Sequence, residues 1–313
     1  MAKKGKFQIR AEYAAVRAVL GALGLLPRRV SLAVCFVLTR LGYYAIGGLR
    51  RVGMRNLEIA FPEMPDDERR RILKGTFENI GRVLGEVSQM HKMTPERLAK
   101  IVDFNLDAQS LDLYAKNKAT GRGVLIVTGH FGNWELMVLG FAAIHEPMAY
   151  LARPLDNPLI EDLTVRMRTR YGNRPINKTN SAMICIRELR EGGILGILAD
   201  VNAHPKEGVF VPFFGVPACT TSGAAMIAIR SNAWIYPTFC AWDKAAGKYK
   251  LVHGKLIEPA NTGDRKADIV TTTAEYTAEI EKVIRQYPEQ WMWIHKRWKT
   301  RPPGEGDIYG RKR

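Results

Sequence analysis

The sequence predicts an α/β fold in which helices flank a mixed central sheet. Short continuous apolar runs, typical of strands buried on both faces, recur at residues 124–127, 149–152 and 193–199. Helix-forming stretches separate these runs, which is the order of a parallel α/β sheet. Residues 234–242 and 249–257 then read as two strands of a hairpin-like pair, and such an antiparallel pair makes the sheet mixed.

The composition is that of a globular protein with an unusual charge. Hydrophobic residues make up 46% and charged residues 25% of the 313 residues, which excludes a disordered chain. The net charge of +16 favours an anionic partner, such as nucleic acid, acidic phospholipid, a phosphorylated substrate or an acidic carrier protein. The four cysteines show no C-x-x-C spacing, so we expect neither a zinc site nor a disulfide framework.

The first fifty residues are basic and apolar. Lys3 and Lys4 open the chain, and residues 30–48 contain Arg40 as their only charge. Nineteen residues can cross a bilayer, but an arginine near the centre of a span costs about 2.5–3.5 kcal/mol on insertion scales. We therefore predict a membrane-associating segment over residues 1–50 and leave open whether it spans or lies along the bilayer. Residues 51–313 would form the second domain.

Helices are predicted from their apolar periodicity and from their end signals. Residues 65–90 form an amphipathic stretch that would cover the sheet, and we assign it no chemistry. A further helix is predicted to begin at residue 134, and four more are predicted over residues 159–171, 181–190, 220–231 and 268–287.

Polar residues follow the first apolar strand in the stretch GVLIVTGHFGNWELM. His130 and Glu135 would diverge by roughly 140° on one continuous helix. If His130 lies in the loop and Glu135 in the first helical turn, the carboxylate can reach back to the imidazole. It would then fix the tautomer and make the other ring nitrogen a general base. The alternative is a helix-capping histidine with a surface glutamate.

Other charged residues lie near the carboxyl ends of the next two strands, where open α/β folds bind ligands. Arg153 follows the second strand, and the predicted helix 159–171 carries Arg168 and Arg170. An exposed basic face is the default interpretation of the arginines on this helix. Asp200 ends the third strand and would orient an arginine or the His130–Glu135 pair, or would be a plain loop carboxylate.

Three tryptophans alternate with basic residues near the end of the chain, at residues 291–299. This composition suits a membrane interface, where the rings lie at headgroup depth. It would also suit stacking on nucleic-acid bases. A basic protein that binds a membrane or nucleic acid without catalysis is therefore the competing interpretation, although the chain contains no recognisable nucleic-acid-binding motif.

Several motifs resemble those of one family. GHFGNWE resembles the H-x4-D/E motif of the glycerolipid and lysophospholipid acyltransferases, and its glutamate form resembles the late lipid A acyltransferases. Similar blocks flank this motif in the family's order. RNL and FPE precede it, and RPLDNP, similar to the family's Arg-Pro-x-x-Asn/Asp-x-Pro, then GVFVPFFGVPA and then PEQWMWIHKR follow it. One departure is Val201, where the family has glutamine after the aspartate. The resemblance covers roughly residues 50–301.

The resemblance implies a membrane-bound enzyme at the cytoplasmic face of the bacterial inner membrane. Such an enzyme moves a fatty acyl chain from acyl carrier protein or coenzyme A to a hydroxyl of a lipid A-type glycolipid. Its fold would be glycerolipid acyltransferase-like, with no metal, no cofactor and no nucleic-acid partner.

The resemblance also implies roles for individual residues. His130 would be the general base and Glu135 its partner. Independently of the resemblance, a thioester carbonyl that develops negative charge needs hydrogen-bond donors, and the backbone N–H groups of Gly132 and Asn133 are candidates. Substrate would contact residues of the two later blocks: Arg168 as the best match for the phosphate-binding arginine, Arg170 or Arg153 otherwise, and Asp200.

Overall fold

A seven-stranded mixed sheet organises the chain. The computed structural model describes residues 5–177 and 181–310. Lys3 and Lys4, basic residues of the predicted membrane-associating segment, lie outside the described residues. The sheet order is β1-β9-β8-β2-β5-β3-β4. Its strands are β1 (Val102–Asp103), β2 (Val124–Thr128), β3 (Ala149–Ala152), β4 (Arg174–Asn177), β5 (Ile194–Leu198), β8 (Trp234–Asp243) and β9 (Lys248–His253). Neighbouring strands are parallel except β8 and β9, so the predicted mixed sheet is confirmed.

Helices cover both faces of this sheet, as the sequence predicted. They are α1 (Lys6–Leu25), α2 (Arg28–Ala45), α3 (Gly47–Ala60), α4 (Asp66–Gln89), α5 (Pro95–Ile101), α6 (Ala108–Thr120), α7 (Trp134–Ile144), α8 (Pro158–Arg168), α9 (Ala182–Arg190), α10 (Gly223–Ser231) and α11 (Arg265–Gln286). Alternate residues of β2 point to opposite faces: Leu125 and Val127 pack in one core cluster with α9, α10 and α11, and Val124 and Ile126 in another with α6 and α7.

A second, two-stranded sheet was missed in the sequence. Strands β6 (Gly208–Phe213) and β7 (Val216–Thr221) form an antiparallel hairpin. The helix predicted for residues 220–231 therefore begins only at Gly223, because the three preceding polar residues continue or end β7. Phe213 and Phe214 are buried in the aromatic core rather than lining an open pocket.

Helix α2 packs along α4 through small residues. A Cβ at Gly81 would lie 2.8 Å from the Cys35 carbonyl oxygen, and a Cβ at Gly85 would lie 3.0 Å from the Leu32 Cα. The buried hydroxyls of Ser31 and Ser88 also share a hydrogen bond of 2.8 Å. The predicted boundary at residue 50 falls inside α3, and the division into two domains stays a prediction.

The apolar N-terminal segment is divided between helices. Within residues 5–177 and 181–310, no single helix combines the length and the apolar character that crossing a bilayer requires. Helices α2 and α3 reach that length together, but an 85° bend separates them.

Candidate active site

The carboxyl edge of the sheet brings two loops together. β2 and β5 are parallel neighbours, with Thr128 paired to Leu198, so the chain leaves both strands side by side. Residues 129–133, here called the His130 loop, connect β2 to α7, while Asp200 follows β5. A Cβ at Gly129 would lie 3.1 Å from the Asp200 carboxylate, so glycine permits this close approach.

Asp200 holds His130 through two hydrogen bonds. The His130 Nδ1 atom lies 2.9 Å from Asp200 Oδ1, and the His130 backbone N–H donates to Oδ2 at 2.7 Å. The indole N–H of Trp291 donates to the same Oδ2 at 2.8 Å. Burial would raise the pKa of Asp200, but interaction with His130 and the hydrogen bonds from His130 and Trp291 outweigh it and lower the pKa to about 2.

Asp200 is therefore a carboxylate at neutral pH, and it determines the histidine tautomer. A carboxylate only accepts hydrogen bonds, so Nδ1 of His130 carries a proton and the lone pair of a neutral ring lies on Nε2. Burial lowers the pKa of His130, but the interactions with Asp200 and then Glu135 raise it by more than burial lowers it. The pKa of His130 therefore lies above its ordinary value. The His130 side chain remains 24% exposed, so the ring is accessible from outside the protein.

Glu135 does not orient His130, and that prediction was wrong. Arg168 holds the Glu135 carboxylate through two guanidinium contacts, of which the one from Nε measures 2.8 Å. The Trp134 indole donates a third hydrogen bond to it at 3.1 Å. Glu135 does lie in the first turn of α7, as predicted, but the last residue of α8 meets it there while Asp200 already occupies Nδ1 of His130.

The structure separates the three predicted substrate-binding arginines. Arg168 lies in the site beside Glu135, and its pKa is raised because this contact outweighs the effect of burial. Arg170 instead donates to the backbone carbonyls of Met90 and His91 at the end of α4. Arg153 is exposed and pairs with Asp156. Its role and that of Arg170 stay predictions. The predicted helix 159–171 ends at Arg168, so Arg170 does not continue the helical face.

The backbone N–H groups of Gly132 and Asn133 were predicted as oxyanion donors, but both are already engaged. Gly132 donates to the Gln290 carbonyl at 2.9 Å, and Asn133 donates to the Cys240 carbonyl at 2.8 Å. Gly132 has a φ of +54°, and a Cβ there would lie 1.9 Å from the Cys240 oxygen. The turn therefore directs these donors into the core, and the oxyanion prediction was wrong for both residues.

The tryptophans of the C-terminal block are buried. Trp291, Trp293 and Trp298 are at most 1% exposed, as is Arg297 between them. Residues 290–292, here called the C-terminal clamp, run beside the His130 loop: Phe131 and Trp291 form an isolated β-bridge, and Met292 N–H donates to the His130 carbonyl at 3.1 Å. These rings therefore cannot stack on bases or enter a membrane interface, so the sequence interpretation was wrong here. It also missed the Trp291 contact with Asp200.

An apolar cavity adjoins the site beneath α7. Its rim carries Trp134, Glu135 and Arg168, and Gly196 in the middle of β5 lines its floor. A second apolar cavity lies below α6 on the same face of the sheet. The two share three lining residues, Ile126, Met137 and Met148. Among the described residues, no three His, Cys, Asp or Glu side chains cluster as metal ligands would.

Comparison with known proteins gives a consistent picture. The model of the bacterial lipid A biosynthesis acyltransferase family matches residues 2–300. The lipid A biosynthesis lauroyltransferase of Escherichia coli (strain K12) is 34% identical over 257 residues, which are 82% of this chain and 80% of that protein. The palmitoleoyltransferase of the same organism is 30% identical over 296 residues, 93% and 92% of the two chains. The myristoyltransferase is 25% identical over 280 residues, 88% and 84%. The chain therefore belongs to the bacterial lipid A biosynthesis acyltransferase family, and the protein is an acyltransferase.

Proposed function

We propose that this enzyme transfers a fatty acyl chain from an acyl thioester to a hydroxyl of a lipid A-type glycolipid, with His130 as general base. The thioester is carried by acyl carrier protein or coenzyme A. The observation that carries the proposal is a histidine whose Nδ1 is held by Asp200 and whose opposite nitrogen is available. Its ring lies 5.2 Å from the ring of Trp134, which lines the apolar cavity beneath α7. The family, and the lauroyl and palmitoleoyl transfer after which its relatives are named, support a fatty acyl donor and a lipid A-type acceptor.

The proposed reaction needs one proton carrier. The acceptor oxygen attacks the thioester carbonyl while its proton passes to Nε2 of His130, and a carbon–oxygen bond forms. Asp200 stabilises the imidazolium that results. When the tetrahedral intermediate collapses, the carbon–sulfur bond breaks and the imidazolium returns the proton to the leaving thiolate. Because the N–H groups of Gly132 and Asn133 are engaged, the first-turn N–H groups of Trp134 and Glu135 are better candidates for the oxyanion.

Arg168 is proposed to bind a phosphate of the acceptor. A guanidinium has five N–H donors, and the two nitrogens that contact Glu135 leave donors free for a second anion. Glu135 would then be a positioning residue that fixes the direction of Arg168. This assignment keeps the predicted task of Arg168 and changes only that of Glu135.

The cavity beneath α7 is proposed to receive the acyl chain. Its lining follows β2 from Thr128 to Ile126, and the second cavity continues the lining to Val124. The four steps from Thr128 to Val124, at about 3.3 Å each, give a path of about 13 Å. The hydrocarbon of one bilayer leaflet is about 15 Å thick, half of about 30 Å. The path therefore has the length scale of a membrane-lipid acyl chain.

We propose that the enzyme works at the cytoplasmic face of the bacterial inner membrane. Apolar residues on one face of α2 are 37–59% exposed, at i, i+4, i+7, i+8 and i+11 spacing: Val30, Val34, Val37, Leu38 and Leu41. The opposite face of α2 packs on α4. An exposed apolar stripe on a chain of net charge +16 suits an anionic lipid surface.

A direct assay tests the proposal. The purified protein is incubated with acyl-carrier-protein or coenzyme A thioesters and a bacterial lipid extract, and mass spectrometry searches for a glycolipid that gains one acyl mass. His130→Ala should cut transfer by roughly 10²–10⁴-fold. His204→Ala is the matched control because His204 lies in an exposed loop. Absence of transfer by folded wild-type protein with either donor would contradict the proposal.

A further inference from the structure

We infer that Trp291 is a positioning residue of the transfer reaction, because its indole N–H fixes the Asp200 carboxylate that holds Nδ1 of His130. The inference rests on the proposed role of His130 and goes beyond it. It gives the tryptophan-rich C-terminal block a task in catalysis, where the sequence indicated only a binding surface.

Asp200 is buried, and its carboxylate is held by donors from two parts of the chain. Its side chain is 3% exposed and accepts three hydrogen bonds, of which two come from His130 itself. Among the described residues, the Trp291 Nε1 donor at 2.8 Å is the one contact that ties the carboxylate to another part of the chain. Without it, Oδ2 would keep a single donor, and a buried carboxylate with fewer donors is less firmly oriented.

The Trp291 ring is itself held by its neighbours. It is 1% exposed and meets the rings of Phe213 and Trp293 edge-on, at centroid distances of 5.5 and 4.6 Å. The backbone on both sides of it is bound to the His130 loop: the Gln290 carbonyl accepts from Gly132, and Met292 N–H donates to His130. The clamp thus sets the indole and the imidazole at a constant separation.

Neither of the neighbouring titratable side chains, His295 and Arg297, replaces Trp291 as the hydrogen-bond donor to Asp200. His295 faces Asp200, but burial lowers its pKa to about 4, so it is neutral and its Nε2 accepts from the Asn202 N–H. Arg297 is also near, but its guanidinium donates to the Cys219 carbonyl and the Thr220 hydroxyl. Burial lowers the pKa of Arg297 to about 10, which still leaves it cationic at neutral pH.

The test compares two tryptophans. Trp291→Phe keeps an aromatic ring and removes the N–H. Trp298→Phe is the matched control, because Trp298 is 0% exposed and its indole nitrogen has no hydrogen-bond partner among the described residues. We expect Trp291→Phe to lower kcat about tenfold, the effect of losing one hydrogen bond to a charged group. The donor KM should stay unchanged, and Trp298→Phe should stay within about twofold of wild type.

A pH profile separates positioning from packing. An Asp200 carboxylate that loses the Trp291 donor interacts more strongly with the imidazolium, so the pKa of His130 rises. The acid limb of kcat/KM, which requires neutral His130, should therefore move to higher pH in Trp291→Phe. Glu135 and Arg168, which also face His130, are unchanged. In an Asp200→Asn background, which already lacks the carboxylate, the same substitution should lower kcat little further, because both changes act on one contact.

Several results would overturn the inference. They are a wild-type kcat and acid limb in Trp291→Phe, or equal losses in Trp291→Phe and Trp298→Phe. If Trp291→Phe does not fold, protein labelled with 5-fluorotryptophan replaces it: the more acidic indole should move the limb to lower pH, and an unmoved limb counts against Trp291. An active His130→Ala enzyme would refute the proposed function itself, whereas an inactive one beside a normal Trp291→Phe would refute only this inference.

Discussion

Replacing Asp200 by asparagine should remove the base without removing any atom of His130. The carboxylate accepts from three donors, two at Oδ2 and one at Oδ1. An asparagine has one acceptor oxygen. At the Oδ2 position this oxygen accepts from two donors, the His130 N–H and the Trp291 indole, whereas at the Oδ1 position it would accept from one. Its NH₂ group then faces Nδ1 of His130. This arrangement favours a proton on Nε2 and a lone pair on Nδ1, which is the wrong tautomer for the proposed base.

The magnitude follows from this tautomer exchange. The corresponding aspartate-to-asparagine change in the serine-protease triad costs about 10⁴-fold in kcat with its geometry intact, and we expect a loss of about 10³–10⁴-fold here. Transfer is measured by mass spectrometry of the acylated glycolipid at saturating donor. Asp268→Asn is the matched control: Asp268 is likewise 3% exposed and accepts from Thr262, but it lies outside the site. A folded Asp200→Asn enzyme with more than about a tenth of wild-type kcat would refute the reasoning.

Four further outcomes are expected. Arg168→Ala and Glu135→Gln should each raise the acceptor KM more than the donor KM, and the double variant should add little, because both act through one contact; additive effects would contradict this. Activity should fall as pH drops through the raised pKa of His130, that is, already above its ordinary value of 6.5, and an acid limb at or below that value would be inconsistent. Gly196→Val should shift donor preference to shorter acyl chains in a competition assay, since Gly196 lines the cavity and only ordinary contacts surround an added Cβ; an unchanged preference would remove the acyl-chain assignment. Gly132→Ala should destabilise folding by on the order of 3 kcal/mol in denaturant titration, whereas a near-neutral effect would show that the turn can relax.

Local signals in the sequence were sufficient for five of the seven strands of the main sheet and for the position of His130, whereas β1 and β4 were not predicted. The apolar run of β2 is continuous and short, and the polar residues after it mark the carboxyl edge of the sheet. The partner of His130 was harder to predict, because Asp200 lies 70 residues away and reaches His130 through the pairing of β2 with β5. Asp200 was one of the alternatives considered, but the shorter spacing to Glu135 was preferred.

The residues around the site depended still more on distant contacts. Glu135 meets Arg168 because α7 begins where α8 ends, and nothing in either segment alone indicates this. Composition was misleading for the C-terminal tryptophans. An alternation of aromatic and basic residues is compatible with a membrane surface and with a protein interior, and here Arg297 and Trp298 are fully buried. The β6–β7 hairpin was missed because its prolines and glycines read as a loop.

The pairing of the clamp with the His130 loop has a consequence for synthesis of the chain. Trp291 is translated 161 residues after His130, which at about 5–20 residues per second is a delay of roughly 8–32 s. During that interval β2 and α7 are complete, but Asp200 lacks its indole donor and the His130 carbonyl lacks its Met292 partner. In a nascent chain the contacts of Asp200 and of the His130 loop therefore stay incomplete until the clamp residues have been translated and have packed beside that loop.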